Sequence, residues 1–228
     1  MIVPLIGLSL VLLLAFVPQM WVQSVLTRHQ AERADFPGTG AEFARHILDE
    51  MKLDEVKVEL TDRGDHYDPE AKAVRLSKPH FEGRSLAAVV VAAHEVGHAM
   101  QDATAYPPLA ARTKLAKSGA GIEKFGVIVM IAAPILMVLG KSPVFLLMSA
   151  AAGAIIMLMS VAIHAVTLPV EFDASFRRAL PVLKAGAYVN KKDMASARQI
   201  LMAAAFTYVA AAAMSLLNVA RWLRVLRI

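Results

Sequence analysis

Ser85-Leu86-Ala87-Ala88-Val89-Val90-Val91-Ala92-Ala93-His94-Glu95-Val96-Gly97-His98-Ala99-Met100 is an apolar run with three ionisable side chains in its second half. Ser85 reads as an N-cap, its hydroxyl able to accept from the first free amides of a helix. Leu86 to Met100, dense in alanine and valine, has the pattern of a helix buried on most sides. Side chains four apart share a helical face, so His94 and His98 project together and can grip one metal ion. Glu95, beside the first of them, can reach a metal-bound water. Burying two imidazoles and a carboxylate in such a helix is costly without a partner, and a metal is the natural one. A pair of satisfied core histidines is the plainer alternative.

The chain has 228 residues and no cysteine, which excludes thiolate zinc sites, iron–sulfur clusters, disulfides and cysteine nucleophiles. A catalytic zinc takes three protein ligands and keeps one position open for water. Its third ligand here must therefore be a further His, Asp or Glu.

Apolar residues make up 57% of the chain and charged ones 19%, against about 45–50% and 25% for a typical soluble domain. The class predicted is a mostly α integral membrane protein with about four transmembrane helices and a small α+β domain. Ile2 to Val22 is uncharged, and 21 residues at about 1.5 Å each span roughly 31 Å, one bilayer core. Phe125 to Gly140, Val144 to Val170 and Ile200 to Ala220 are the other three runs, with Gly140-Lys141-Ser142-Pro143 a tight turn between the second and third. The 7% aromatic content, net charge of +5 and absence of basic runs argue against a nucleic-acid partner.

Between the first two runs the composition is ordinary. Thr39-Gly40-Ala41-Glu42 is a capping box, followed by Phe43, Ile47, Leu48 and Met51 at helical spacing. Glu55 to Leu60 alternates as a half-buried strand, and Ala73 to Ser77 alternates in the same way after a turn-rich stretch. Together they predict a β-hairpin.

A hairpin of the second and third spans returns the chain to the side of His94. The first acid there is Glu171, in Leu168-Pro169-Val170-Glu171-Phe172-Asp173-Ala174-Ser175, with Asp173 and His164 as rivals for the third ligand. His164 lies seven residues earlier on the same face, about 10.5 Å along the axis, so packing within the bundle suits it better. The predicted organisation is a membrane anchor over 1–23, a domain with the His94 helix over 24–121 and a transmembrane hairpin over 122–170. A loop or helix bearing Glu171 follows over 171–198, then a last span and basic tail over 199–228.

With these residues assembled, the chain resembles the bacterial neutral zinc metallopeptidases of the YugP type and, more distantly, the integral-membrane HtpX-like and CAAX-prenyl-type proteases. The likeness rests on the leading span, Asp65 to Pro69 with Val74 to Ser77, His94 to Gln101, and Leu168 to Ser175. It implies a zincin-like catalytic domain of gluzincin type, with one zinc per chain held by His94, His98 and Glu171 and with Glu95 as general base. HtpX-like relatives carry an aspartate four residues after the third ligand, where this chain has Ser175; Asp173 is predicted to lie on a different helical face. The likeness also implies that strand Ala73 to Ser77 borders the cleft and accepts an extended peptide.

Candidate donors to the reaction's oxyanion are His66, Tyr67, Arg177 and Tyr188, with Arg177 also a candidate partner of Asp173 or substrate. Expected partners are a peptide or membrane-protein substrate, the lipid bilayer and a membrane quality-control assembly. Basic residues near the span ends are concentrated on the side of His94, the other side holding only Lys141, Arg221, Arg224 and Arg227. That places the site on the cytoplasmic face of the cell membrane. The rival reading is a non-catalytic zinc-binding scaffold or a transporter. A scaffold has no need of Glu95, and a transporter would carry several ionisable groups in its spans, where only His164 is found.

Overall fold

Alanine and valine at successive positions let neighbouring backbones close in from every side, and one helix of that composition organises the fold. The computed structural model describes residues 16–206 apart from Lys141 and Pro143. In chain order the elements are α1 (16–28), α2 (Gly40–Glu50), β1 (Lys57–Thr61), β2 (His66–Asp68), β3 (Ala73–Ser77), α3 (Lys78–Phe81) and α4 (Leu86–Ala103). There follow α5 (Pro107–Gly140), α6 (Val144–Phe172), a π-helical segment (Asp173–Ala179), α7 (Leu180–Ala185) and α8 (194–206). Two contact units result: Phe16–Leu109 with Leu168–Thr207 make the larger, and Ala110–Thr167 belong to the other.

In the larger unit α4 lies at the centre, against α2, α3, α7, the π segment and strands β2 and β3. Its N-terminus is capped by Ser85, whose Oγ accepts the Ala88 amide at 3.1 Å. The Thr39–Glu42 capping box closes α2 in both directions, at 3.2 Å to Thr39 Oγ1 and 2.8 Å to Glu42 Oε2. Val25, Ile47, Leu48, Val74, Leu76, Val90, Ile200 and Leu201 fill the core around α4.

Strand order in the sheet is β1-β3-β2, with β1 parallel to β3 and β2 antiparallel to it. The predicted hairpin of 55–60 with 73–77 is therefore wrong. Alternation specifies which side chains are buried but not which neighbour a strand takes, and the turn-rich stretch itself supplies β2. Arg75 ties the three strands together, donating to Glu59 at 3.0 Å and Asp68 at 2.6 Å. At the end of β3, Asp65 accepts from the Ser77 amide at 2.7 Å and from His80 Nδ1 at 2.8 Å. Burial opposes ionisation of Asp65, but the His80 and Ser77 hydrogen bonds outweigh it and hold the carboxyl below the usual range. Flanked by β1 on one side and by β2 and Asp65 on the other, β3 is not an edge that could accept a peptide strand.

Four transmembrane helices are not supported either. Among the described residues one helical stretch, Ala150–Ala185, is long and apolar enough to cross a membrane, with a mean hydropathy of 2.1 in its most apolar window. In α5 the uncharged run begins only at Phe125, after Arg112, Lys114, Lys117, Glu123 and Lys124. Most of the predicted spans 2–22 and 200–220 lies outside the described residues. In their described ends, within α1 and α8, Val22, Ile200 and Leu201 are buried in the core of the larger unit. Apolar runs that pack a protein core and runs that face lipid have the same composition, so counting residues cannot separate them.

Close approach makes α2 intolerant of substitution at its first residue. A Cβ on Gly40 would lie 2.1 Å from the His80 carbonyl oxygen and 3.0 Å from that of Ala88. Gly40→Ala is expected to destabilise the fold by about 1–3 kcal/mol through overpacking. A thermal melt checks this, and an unchanged midpoint would refute the described seating of α2.

Candidate metal centre

Both histidines of the α4 motif are enclosed because the helix is buried on every face from Leu86 to Ala99; His94 and His98 are each 4% exposed and Glu95 6%. The third element is the end of α6, which delivers Glu171, fully buried, to the same place. Glu171 Oε2 lies 3.2 Å from His94 Nε2 and 3.3 Å from His98 Nε2. One donor atom from each of the three residues lies within 4.8 Å of the others. Ligands about 2.0–2.2 Å from a tetrahedral zinc are separated by about 3.3–3.5 Å, which matches the two measured edges.

Hydrogen bonds to the far side of each ring determine what the near side can do. His94 Nδ1 lies 3.0 Å from Ser175 Oγ, whose own proton goes to the Leu201 carbonyl at 3.2 Å. Ser175 is thus the acceptor and His94 Nδ1 the donor. His98 Nδ1 lies 2.9 Å from Gln101 Oε1. The Gln101 amide nitrogen donates to the Val170 carbonyl at 2.8 Å and to Asp173 Oδ2 at 2.9 Å, two groups that can only accept. This fixes the amide orientation and makes His98 Nδ1 a donor as well. In the neutral rings both Nε2 atoms then carry lone pairs that point at a carboxylate oxygen. Three acceptors turned toward one buried point make a candidate cation site, and the nitrogen–oxygen donor set suits zinc.

The predicted third-ligand rivals fall elsewhere. Asp173 is 7% exposed and serves Gln101 and Arg178, the latter donating from Nε at 2.8 Å. His164 belongs to the other unit, beside Ser160 and Ile163 in a cavity of about 340 Å³. Ser175, in the place of the expected aspartate, holds His94 with a hydroxyl. The carboxylate on a different face, Asp173, still acts on a histidine of the candidate site, His98, through Gln101.

The remaining candidates divide as follows. Tyr67 gives its hydroxyl to Asp102 at 2.8 Å; burial first, and then that bond, push the phenol above its usual range. Tyr188 sits against α2, edge-on to Phe43 and with its oxygen 2.9 Å from His46 Nε2. His66 Nδ1 lies 2.9 Å from the Gly64 carbonyl. Arg177 is exposed, and the contact to Asp173 that was expected of it belongs to Arg178. A π-helical turn pairs residues five apart rather than four, which shifts the partner by one. Two residues escaped the sequence reading, Gln101 and Arg178. Gln101 had a signal, its position three after His98 on the same helical face; Arg178 had none, since nothing in the sequence marks the π turn.

Over residues 4–227 the chain matches the family described as "Putative neutral zinc metallopeptidase". The chain belongs to this family. A relative in it, "Putative membrane protease YugP" of Bacillus subtilis (strain 168), is 38% identical over 218 residues, covering 93% of this chain and 91% of its own. No solved structure matches. The two histidines and the buried glutamate are thus a candidate zinc site in a zinc-peptidase family.

α4 and the π segment touch at Gly97, where an added Cβ would lie 2.7 Å from the Ala174 carbonyl oxygen. Gly97→Ala is expected to push apart the elements bearing the histidines and Glu171 and to weaken zinc binding about 10-fold or more, the equivalent of 1.4 kcal/mol or more. Chelator competition measures it; unchanged affinity would mean that the ligand elements do not meet at this glycine.

Proposed function

We propose that this protein is a membrane-associated zinc endopeptidase, with one zinc per chain held by His94, His98 and Glu171 and with Glu95 as general base. The observation that carries the reading is the convergence of the two Nε2 atoms and Glu171 Oε2, with both rings held in the tautomer that leaves those nitrogens as acceptors. Membership of a zinc-peptidase family supports it.

When bound, zinc supplies a Lewis acid that acidifies water and polarises a carbonyl. Glu95 adjoins the first ligand in sequence and is buried among apolar neighbours, where little bulk water competes for its oxygens. It takes a proton from the attacking water and passes it to the leaving amine nitrogen as the peptide C–N bond breaks. His94 and His98 keep their ring orientation through Ser175 and Gln101 while charge develops. Substrates on this reading are peptides or segments of membrane proteins, and a membrane quality-control assembly is the expected setting.

Glu95→Gln removes the base and leaves the three ligands in place. Zinc content is expected to stay at one per chain while proteolysis falls about 10²–10⁴-fold. Glu171→Ala is expected to lose zinc instead. Wild-type cleavage by Glu95→Gln would sink the mechanism, and full zinc in Glu171→Ala would remove Glu171 from the ligand set.

Membrane attachment on this reading uses α6, whose Leu147, Ile155 and Leu158 are exposed. Lys141 precedes that helix, whereas Arg177, Arg178 and Lys184 follow it, which supports a cytoplasmic position for the end that bears Glu171. Single cysteines introduced at exposed positions 184 and 187 are expected to resist an impermeant maleimide in intact cells and to react after lysis. Labelling before lysis would reverse the orientation.

A further inference from the structure

Gln101 is one of the few large polar side chains with no exposure at all, and it touches both elements that carry zinc ligands. It accepts from His98 Nδ1 at 2.9 Å on its own helix, and it donates to Val170 O at 2.8 Å and Asp173 Oδ2 at 2.9 Å on the other. Those two acceptors flank Glu171 in sequence, one residue before it and two after. Asp173 is in turn oriented by Arg178 at 2.8 Å, five residues along the π segment. The geometry points to Gln101 as a positioning residue for the metal, the middle of a relay Arg178–Asp173–Gln101–His98 that sets the His98 tautomer and seats Glu171 by the same side chain.

The direction of every bond in the relay follows from its ends. Arg178 can only donate and ionised Asp173 can only accept, so the amide must turn its NH2 toward Asp173 and its carbonyl toward His98. A carbonyl there requires a proton on His98 Nδ1 and leaves Nε2 to the metal. In a relay built of one carboxylate and one amide, the Asp173 carboxylate is kept one side chain away from the histidine. Its polarity also means that a carboxylate at 101, while still accepting from His98 Nδ1, would set acceptor against acceptor at both Val170 O and Asp173 Oδ2.

The inference rests on the zinc reading, and its test uses zinc affinity of the full-length chain in detergent, by competition with a chelator, alongside the thermal midpoint of the zinc-free protein. Gln101→Glu places two carboxylates against each other and is expected to weaken zinc binding about 10–100-fold, the range for losing a ligand's supporting partner. Adding Asp173→Ala removes the opposing carboxylate, and the pair Gln101→Glu with Asp173→Ala is expected to recover part of that loss, to within about 10-fold of wild type by the same yardstick. Asp173→Asn alone, whose amide oxygen can still accept from Gln101 and Arg178, is expected to lose less than either. A side chain that merely filled space would give additive effects, with the pair no better than Gln101→Glu. That result, or wild-type affinity in Gln101→Glu, would overturn the inference. Absence of zinc binding by the wild type would instead overturn the zinc reading itself.

Discussion

Two imidazole nitrogens and a carboxylate oxygen converge on one buried point, and in the neutral rings the bonds behind them keep the ring proton on Nδ1 and leave Nε2 an acceptor. Much of the larger unit is arranged to hold that electrostatic conflict in place. α4 supplies the histidines, α6 and the π segment supply Glu171, Asp173 and Ser175, and α8 supplies the Leu201 carbonyl that takes the Ser175 proton. With neither a cation nor a second ring proton, such a centre leaves acceptors facing acceptors where solvent cannot relieve them. A divalent cation resolves it with the three ligands unchanged.

The two histidines are supported by different means. Ser175 reaches His94 directly with a hydroxyl, while Asp173 reaches His98 through an interposed amide. The π turn makes the second arrangement possible. It brings Asp173 and Arg178, five residues apart, into contact and places both Asp173 and Ser175 toward α4 although they lie two apart in sequence. Such turns recur at functional sites because they re-aim side chains without ending the helix.

Closeness is the other constraint. Gly40 lets α2 rest on the His80 carbonyl, and Gly97 lets α4 rest on that of Ala174. The alanines and valines of α4 continue the same policy along its length. The helix that bears the two histidines of the candidate metal site is therefore also the helix about which the core packs, and changes to either are felt by both.

What the sequence alone determined was local. The capping box of α2, the buried run from Leu86, the four-residue spacing of His94 and His98 and the absence of cysteine were all legible, because each depends on neighbours in the chain. Glu171 could be named as well, though the four-span argument that led to it did not survive. Apolar composition did not tell lipid from core, and alternation did not tell a parallel neighbour from an antiparallel one, since both depend on what packs against the element. Only the tertiary structure decided that β1 lies parallel to β3, that Arg178 rather than Arg177 meets Asp173, and that Gln101 joins the histidine helix to the glutamate. The first turns on which neighbour a strand takes, the second on a change of helical period and the third on a contact some seventy residues apart, and none of these leaves a mark in the order of the amino acids.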